Sequence, residues 1–412
     1  MISTEAWIID ACRTPRGIGK PGKGALCGIH PQRLGAAVLA ALVERTGIDT
    51  ADVDDVIWGT SNQVGAQGSD LGRMSALDAG FDIRSSGVTI SRFCGSGLSS
   101  IALAAATIAG GMQDLVVGGG TEMMSLLAAS GDSSAFMDRD NLHLRKMHPM
   151  PHQGIAADAI ASLEDIGREP LDQLAVLSQQ RAETAIREGY FARSLVPVLH
   201  EDGSVALDRE QYPRAGSTLA AVAGLKPSFE ALADQVLDAS GTTYRALVAR
   251  KYPGLQWRHV HHAGNSSGVV DGSAALLLAS PAYAKANGLK PRARIVASVN
   301  RGDCPTLMLN GPVPAARKAL TKAGLTIADI DLFEVNEAFA VVAEKFIRDL
   351  DLDRDRVNVN GGAIALGHPI GATGAILVNT LIDELERRDR QFGLVTMCTG
   401  GGMAPAVIVE RL

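Results

Sequence analysis

Aromatic residues are scarce: Phe, Trp and Tyr together make 4% of the 412 residues. That scarcity disfavours base stacking as a mode of recognition. An excess of positive charge is also missing, since 39 Lys and Arg face 45 Asp and Glu for a net charge of −6. Neither nucleic acid nor an anionic membrane is therefore expected as a partner. No apolar run reaches membrane-spanning length. The chain begins MISTEAWIIDACRTP, a strand-like alternation without a basic stretch and long apolar core, so a cytoplasmic location is expected. Cysteines number five (Cys12, Cys27, Cys94, Cys304, Cys398), odd and scattered, which suits reduced thiols rather than a disulfide framework.

What is abundant is glycine, with 45 residues, in a chain long enough for two or three domain-sized units. Much of it falls in an internal repeat. GIDTADVDDVIWGTSN (47–62) reads against GLTIADIDLFEVNEAF (324–339), each a helix end, an acidic turn and an apolar strand. SSGVTISRFCGSGLSSIALAAA (85–106) then matches DRVNVNGGAIALGHPIGATGAILVNTL (355–381), each predicted as strand, glycine-bearing loop and helix. DLVVGGGTEMM (114–124) matches FGLVTMCTGGGMAPAVIVE (392–410), each predicted as a strand leading into three glycines. The period is too long for a solenoid. Two related α/β halves are expected, with a reactive loop at the matching place in each. Residues 126–259 differ in composition and read as an inserted cap. The predicted division is an N-terminal half of 1–125 and 260–284, a cap of 126–259, and a C-terminal half of 285–412.

Within SRFCGSGL, Cys94 follows a strand and precedes a helix whose apolar face is Leu98, Ile101, Ala102 and Ala105. Helix-terminal amides would favour the thiolate there and lower its pKa. The stretch alone leaves Cys94 open between a packing thiol and a nucleophile. His368 occupies the matching glycine loop of the other half, and a Cys/His pair suits an activated thiol. Cys398 in CTGGGM adds a second candidate thiol. Asn336 in EVNEAFA could serve an oxyanion or cap the next helix. His259 and His261 are expected on one strand face and, with His262, lack partners at metal-ligand spacing, so no metal site is expected. The GGG runs do not complete G-x-G-x-x-G, so no dinucleotide site is expected.

Taken together, SRFCGSGL, VNEAFA, NGGAIALGHPIGATGA and CTGGGM resemble the thiolases, the acetyl-CoA C-acyltransferase family. AGNSSGVVDGSAA and IDACRTPRG extend the resemblance over nearly the whole chain. It implies a five-layered αβαβα core of two repeated halves plus a loop domain. It implies Cys94 as the acylated nucleophile, His368 as its activator and Cys398 as acid/base at the acetyl α-carbon. Asn336 and His368 would form one oxyanion site, and the backbone N–H groups of Cys94 and Gly400 the other. His152, Ser267, Met308 and Phe339 would contact the pantetheine arm of coenzyme A. No permanently bound cofactor is implied, coenzyme A and acyl-CoA being the substrates, and a homodimer or homotetramer is expected. The link between LKPSF and HHAGNSSG is longer than the family's usual one, and Leu309 and Gln153 replace the common glycine and methionine. Those departures bear on the acyl group accepted. Thiolytic cleavage of a 3-ketoacyl-CoA is the leading expectation, followed by the reverse, biosynthetic condensation of two acetyl-CoA. A ketoacyl synthase would leave Cys398 without a role, and a silent acyl-CoA-binding homologue would not need two thiols and an imidazole.

Overall fold

A computed structural model describes residues 5–126 and 137–412. Its strands are β1 (Trp7–Arg13), β2 (Gly17–Ile18), β3 (Asp55–Gly59), β4 (Ser86–Ile90), β5 (Leu115–Met123), β6 (Val198–Leu199), β7 (Val205–Leu207), β8 (Val270–Ala279), β9 (Ala293–Gly302), β10 (Leu332–Val335), β11 (Phe392–Thr396) and β12 (Met403–Arg411). All but β6 and β7 form one sheet, ordered β10-β11-β12-β9-β1-β8-β5-β3-β4, with β2 on β8.

The order is two copies of one arrangement. Outward from β1 lie β8 and β5, each antiparallel to the last, then β3 and β4 in parallel. Outward from β9 lie β12 and β11, again antiparallel, then β10 in parallel. The copies meet at only two residue pairs, Trp7 with Arg294 and Ile8 with Ala293.

Alternation along the strands sorts side chains into three apolar cores. Val56, Trp58, Leu115, Val117 and Leu277 face one core with Val38, Leu39 and Leu42 of the helix Pro31–Thr46. Ile57, Val116, Leu276, Leu332, Val395 and Val407 face the middle core. There they meet Leu98, Ile101 and Ile108 of the helix Ser96–Ala109, and Ile376, Leu381 and Leu385 of the helix Thr373–Arg387. Phe333, Val335, Leu394 and Ile408 face the third core with the helices Pro312–Ala323 and Ala340–Asp349. Helices therefore cover both faces of both half-sheets, giving the expected five layers. β5 and β8 are buried along their whole length, apolar over Leu115–Gly120 and Ala274–Ala279, with Glu122 and Asp271 buried at the ends nearest the loops.

Matching helices obey matching end signals. Those at 31–46 and 312–323 both start with a proline in the first turn and stop at a left-handed glycine, Gly47 (φ 66°) or Gly324 (φ 69°).

Two expectations require correction. No second strand forms where the repeat places one at 355–360: Val357 makes a single parallel bridge to Phe333. Asn358 then turns left-handed (φ 47°), and its side-chain amide accepts from Val335 N–H (2.9 Å) and donates to Val335 C=O (2.8 Å). A side chain has taken over the ladder bonds, so the chain is free to leave the sheet. The second correction concerns Gly118–Gly120, which lie inside β5 rather than after it. A Cβ on Gly119 would sit 2.4 Å from Ala274 O, and one on Gly120 2.3 Å from Gly371 O. These glycines permit close packing on both faces of a strand.

The insertion between β5 and β8 packs against the C-terminal half. Its helices Gln153–Leu163 and Arg168–Arg187 contact the helix Ala340–Asp349, and the latter also contacts Ala363–Leu366.

Candidate active site

Three loops converge at the ends of the central helices. The first leaves β4 and enters the helix Ser96–Ala109 through a tight elbow. Phe93 is left-handed (φ 49°), a strained conformation for an aromatic residue. The turn closes through Gly95 N–H to Arg92 O (3.0 Å), while Ser96 Oγ accepts from Arg92 N–H (2.9 Å) and donates to Phe93 O (2.6 Å). Cys94 sits at the apex, buried. Its own backbone N–H and that of Gly400 both act on its sulfur.

The thiol nonetheless departs from the sequence expectation. Burial pushes its pKa up to about 12, outweighing those N–H groups, and Glu122 adds to the rise. Backbone N–H groups at a helix terminus lower a thiol pKa, and here the desolvation of burial outweighs them. Cys94 is held as a thiol.

The second loop carries His368 between Gly367 (φ 94°) and Pro369. Thr373 hydroxyl donates to Pro369 O (2.9 Å) and lies 2.6 Å from His368 Nδ1. That order makes Nδ1–H the donor to Thr373, leaving Nε2 as the acceptor. Asn336 Nδ2 faces Nε2 at 3.3 Å, and Asn336 Oδ1 is buried without a protein partner. Burial lowers the imidazole pKa to about 4, so the ring is neutral with its basic nitrogen on the Asn336 side. Asn336 follows β10 and donates its backbone N–H to Thr396 O (3.1 Å).

The third loop joins β11 to β12 and holds Cys398, 1% exposed. Burial raises its pKa, and the neighbouring Cys94 raises it further. At Gly400, a Cβ would meet Met137 Cε at 2.4 Å and Phe93 Cγ at 3.0 Å. A side chain there would have to displace the end of Met137, and the peptide N–H approaches Cys94. The first two loops interlock through glycines: a Cβ on Gly97 would lie 2.7 Å from Gly371 O, and one on Gly374 2.1 Å from Leu98 N.

A chain of rings lines the cap side. His152 caps the helix Gln153–Leu163, with Nδ1 accepting from Gly154 N–H (3.1 Å). Its ring is 5.6 Å from Phe229, which is 5.8 Å from Phe339. Ser266 bridges to Phe339, and Ser267 N–H donates to Ala338 O (3.0 Å). Met308, left-handed at φ 57°, is buried in the same apolar cluster as Phe339. The histidine run adopts no strand, contrary to expectation. His259 Nδ1 (2.8 Å) and His261 Nδ1 (2.7 Å) both bond to Asp158, while His262 Nε2 bonds to Asp172 (2.8 Å). Two buried carboxylates of the cap thus engage all three imidazoles, and the shared acceptor, not strand alternation, turns His259 and His261 the same way.

Residues 6–240 match the description "Thiolase, N-terminal domain" and residues 289–411 "Thiolase, C-terminal domain". The chain belongs to the thiolase family. It is an acyltransferase. The chain is 40% identical to "Steroid 3-ketoacyl-CoA thiolase FadA6" of Mycobacterium tuberculosis, over 100% of this chain and 95% of that one. It is 39% identical to an "Acetyl-CoA acetyltransferase" of Paracoccus denitrificans, over 99% and 100%, and to a "Beta-ketoadipyl-CoA thiolase" of Acinetobacter baylyi, over 99% of each. The crystal structure of the Bacillus anthracis acetyl-CoA acetyltransferase superposes with a TM-score of 0.82 at 35% identity, over 99% of each chain.

Several residues of this thiolase's site escaped sequence reasoning. Thr373, which fixes the His368 tautomer, lies five residues downstream in a glycine loop whose path no periodicity reveals. Phe229 and Tyr244 both face His152, at 5.6 and 6.2 Å, from the long link between cap and core. Their signal was only that aromatics are rare in the chain and four (Phe229, Tyr244, Tyr252 and Trp257) fall between 229 and 260.

Proposed function

We propose that this thiolase cleaves a 3-ketoacyl-CoA with coenzyme A, giving acetyl-CoA and a shortened acyl-CoA. The observation that carries the reading is the convergence of two thiols, a neutral imidazole and two backbone N–H groups at one buried point. Cys94 gives its proton to His368 as its sulfur attacks the C3 carbonyl. Neither a lone thiolate nor a lone imidazolium is favoured by burial, so the transfer is productive only as the two charges form together and attract. The C2–C3 bond breaks, and its electron pair passes to acetyl-CoA as an enolate. His368 Nε2–H and a water held by Asn336 stabilise that enolate, and Cys398 protonates it at C2. The N–H groups of Cys94 and Gly400 receive the oxyanion formed at the acyl carbon. Free coenzyme A gives its thiol proton to the Cys398 thiolate and attacks the acyl carbon. The bond from that carbon to Cys94 sulfur breaks, acyl-CoA leaves, and His368 returns its proton to Cys94. His152, Ser267, Met308 and Phe339 guide the pantetheine arm, and a dimer or tetramer in the cytoplasm is part of the same reading.

Direction is supported by the names of FadA6 and the Acinetobacter enzyme, both 3-ketoacyl-CoA thiolases by title or substrate. Relatives at nearly the same identity are named acetyl-CoA acetyltransferases, and the same groups run in reverse would condense two acetyl-CoA. Thiolysis of acetoacetyl-CoA and of longer or branched 3-ketoacyl-CoAs separates the two. A higher kcat/KM on longer substrates is expected. Activity confined to acetoacetyl-CoA would favour the biosynthetic reading, and no thiolysis of any by folded protein would defeat both.

A further inference from the structure

Glu122 lies near the end of β5 with no solvent exposure, and the chemistry above gives it no task. Its Oε2 accepts from two backbone N–H groups, Ser61 at 2.7 Å and Gly371 at 2.8 Å. Its Oε1 accepts from Gln67 Nε2 at 3.2 Å and the Thr60 hydroxyl at 3.4 Å. The Gln67 amide is itself oriented, because its Oε1 accepts from Met123 N–H at 2.6 Å. A buried carboxylate costs several kcal/mol unless its oxygens are bonded, and here every donor is neutral. No hydrophobic-core function calls for a charge at this place.

What the four donors join is informative. Ser61, Thr60 and Gln67 belong to the N-terminal half, beyond β3. Gly371 belongs to the C-terminal half, between His368 and the Thr373 that holds its imidazole. There is little slack around that contact. A Cβ on Gly371 would lie 2.5 Å from Thr60 Cα and 2.8 Å from Glu122 Oε2. The carbonyl of Gly371 crowds Gly97, in the first turn of the helix that follows Cys94. One carboxylate oxygen therefore ties the imidazole's loop to the half that carries the nucleophile.

We propose that Glu122 is a positioning residue, a charged clamp that sets the His368 loop against the Cys94 loop across the two halves. The clamp rests on the roles given above to Cys94 and His368. It has a second, electrostatic effect. The other titratable groups on the three loops are Cys398, neutral His368 and Arg92, whose guanidinium bonds Ser99 Oγ at 2.7 Å. The helix Thr373–Arg387, packed on the helix after Cys94, carries Asp383, Glu384, Glu386 and Arg387 in its last turns. Burial raises the Glu122 carboxyl above its ordinary range while the Ser61, Gln67 and Gly371 donors pull it back, and as a carboxylate it opposes ionisation of Cys94. Clamp and field can be separated by substitution. Glu122→Gln preserves a carbonyl oxygen for the Ser61 and Gly371 N–H groups but removes the charge, whereas Glu122→Ala removes both.

The test combines turnover with alkylation of Cys94 by iodoacetamide across pH, read by peptide mass. Glu122→Ala is expected to lose about 100-fold in kcat, as for a reacting group displaced by an ångström, with KM for coenzyme A within about threefold. Glu122→Gln should recover most of that kcat. Both variants should alkylate with a midpoint at lower pH than the wild type, and Glu122→Gln, which keeps the packing and so the desolvation of Cys94, isolates the part due to the charge. Folded Glu122→Ala with kcat within about threefold of wild type would overturn the clamp. An unmoved midpoint in Glu122→Gln would overturn the field whether or not Glu122→Ala folds. Wild-type Cys94 that alkylates but never carries an acyl group overturns the assigned roles instead, because alkylation reads Glu122 without turnover.

Discussion

The two reactive loops occupy equivalent places in the two halves and are built in opposite ways. In the N-terminal half, β4 passes into its helix through a few residues locked by hydroxyls, and the strained residue is Phe93. In the C-terminal half the strand shrinks to the Val357 bridge, and a long glycine-rich path through Gly361 (φ 79°) and Gly367 (φ 94°) precedes the helix. The short elbow fixes a backbone N–H beside its own sulfur. The long path lets an imidazole be aimed through Thr373 and Asn336 from two directions. One scaffold occurs twice, and the difference in loop length sets the proposed nucleophile apart from the proposed base.

The largest effect should come from breaking the two loops in turn. Cys94→Ala is expected to lose turnover by at least ~10⁴-fold and to gain no acetyl mass on exposure to acetyl-CoA. His368→Ala should lose ~10³-fold, as for removal of a general base, yet still acylate slowly at high pH. Acetyl mass on Cys94→Ala would place the nucleophile elsewhere.

Next in size is the interlock between the loops. Gly374→Ala drives a methyl to 2.1 Å from Leu98 N, backbone that cannot yield cheaply. It should cost about 3 kcal/mol in denaturant unfolding. Gly28→Ala, where a Cβ meets nothing within 4 Å, should leave stability unchanged to within about 0.5 kcal/mol. Equal losses at the two sites would remove the interlock as a structural element.

The smallest effect is on acid stability. His368 is neutral when folded down to about pH 4, whereas the unfolded imidazole takes a proton near its ordinary pKa of 6.5. The unfolded state thus binds more protons between those values, so stability is lost as pH falls through that window. His368→Asn should lose about 2 kcal/mol less than the wild type between pH 7 and pH 5. An identical pH slope for both would mean that the imidazole is not held neutral.

Much of this arrangement is legible in the chain. The repeat, its proline starts and glycine stops, and the alternating apolar runs announce two α/β halves, and Cys94 at a strand-to-helix turn follows from period alone. What could not be read depends on contacts between distant segments. Asn358 replaces a strand ladder only because Val335 lies beside it, and Gly118–Gly120 look like a loop until Ala274 and Gly371 press on them. The Cys94 pKa was misjudged for a related reason. A helix terminus is local and visible in sequence, but the burial that overrides it is assembled by three loops from both halves. Glu122 meets Gly371 across such a contact, while Thr373 is only five residues from His368 but lies at the end of a loop whose path no periodicity marks.

The pairing of β1 with β8 has a consequence for how the molecule is made. Trp7 lies opposite Ala279, so the first strand and its neighbour are separated by the whole cap. At synthesis rates of about 5–20 residues per second, β1 emerges on the order of 10–50 s before the strand that completes its sheet. Throughout that interval the apolar faces of β1 and β5 have no β8 between them. The nascent N-terminal half is a natural client for a holdase, and its window of aggregation closes only when residues 270–279 leave the ribosome.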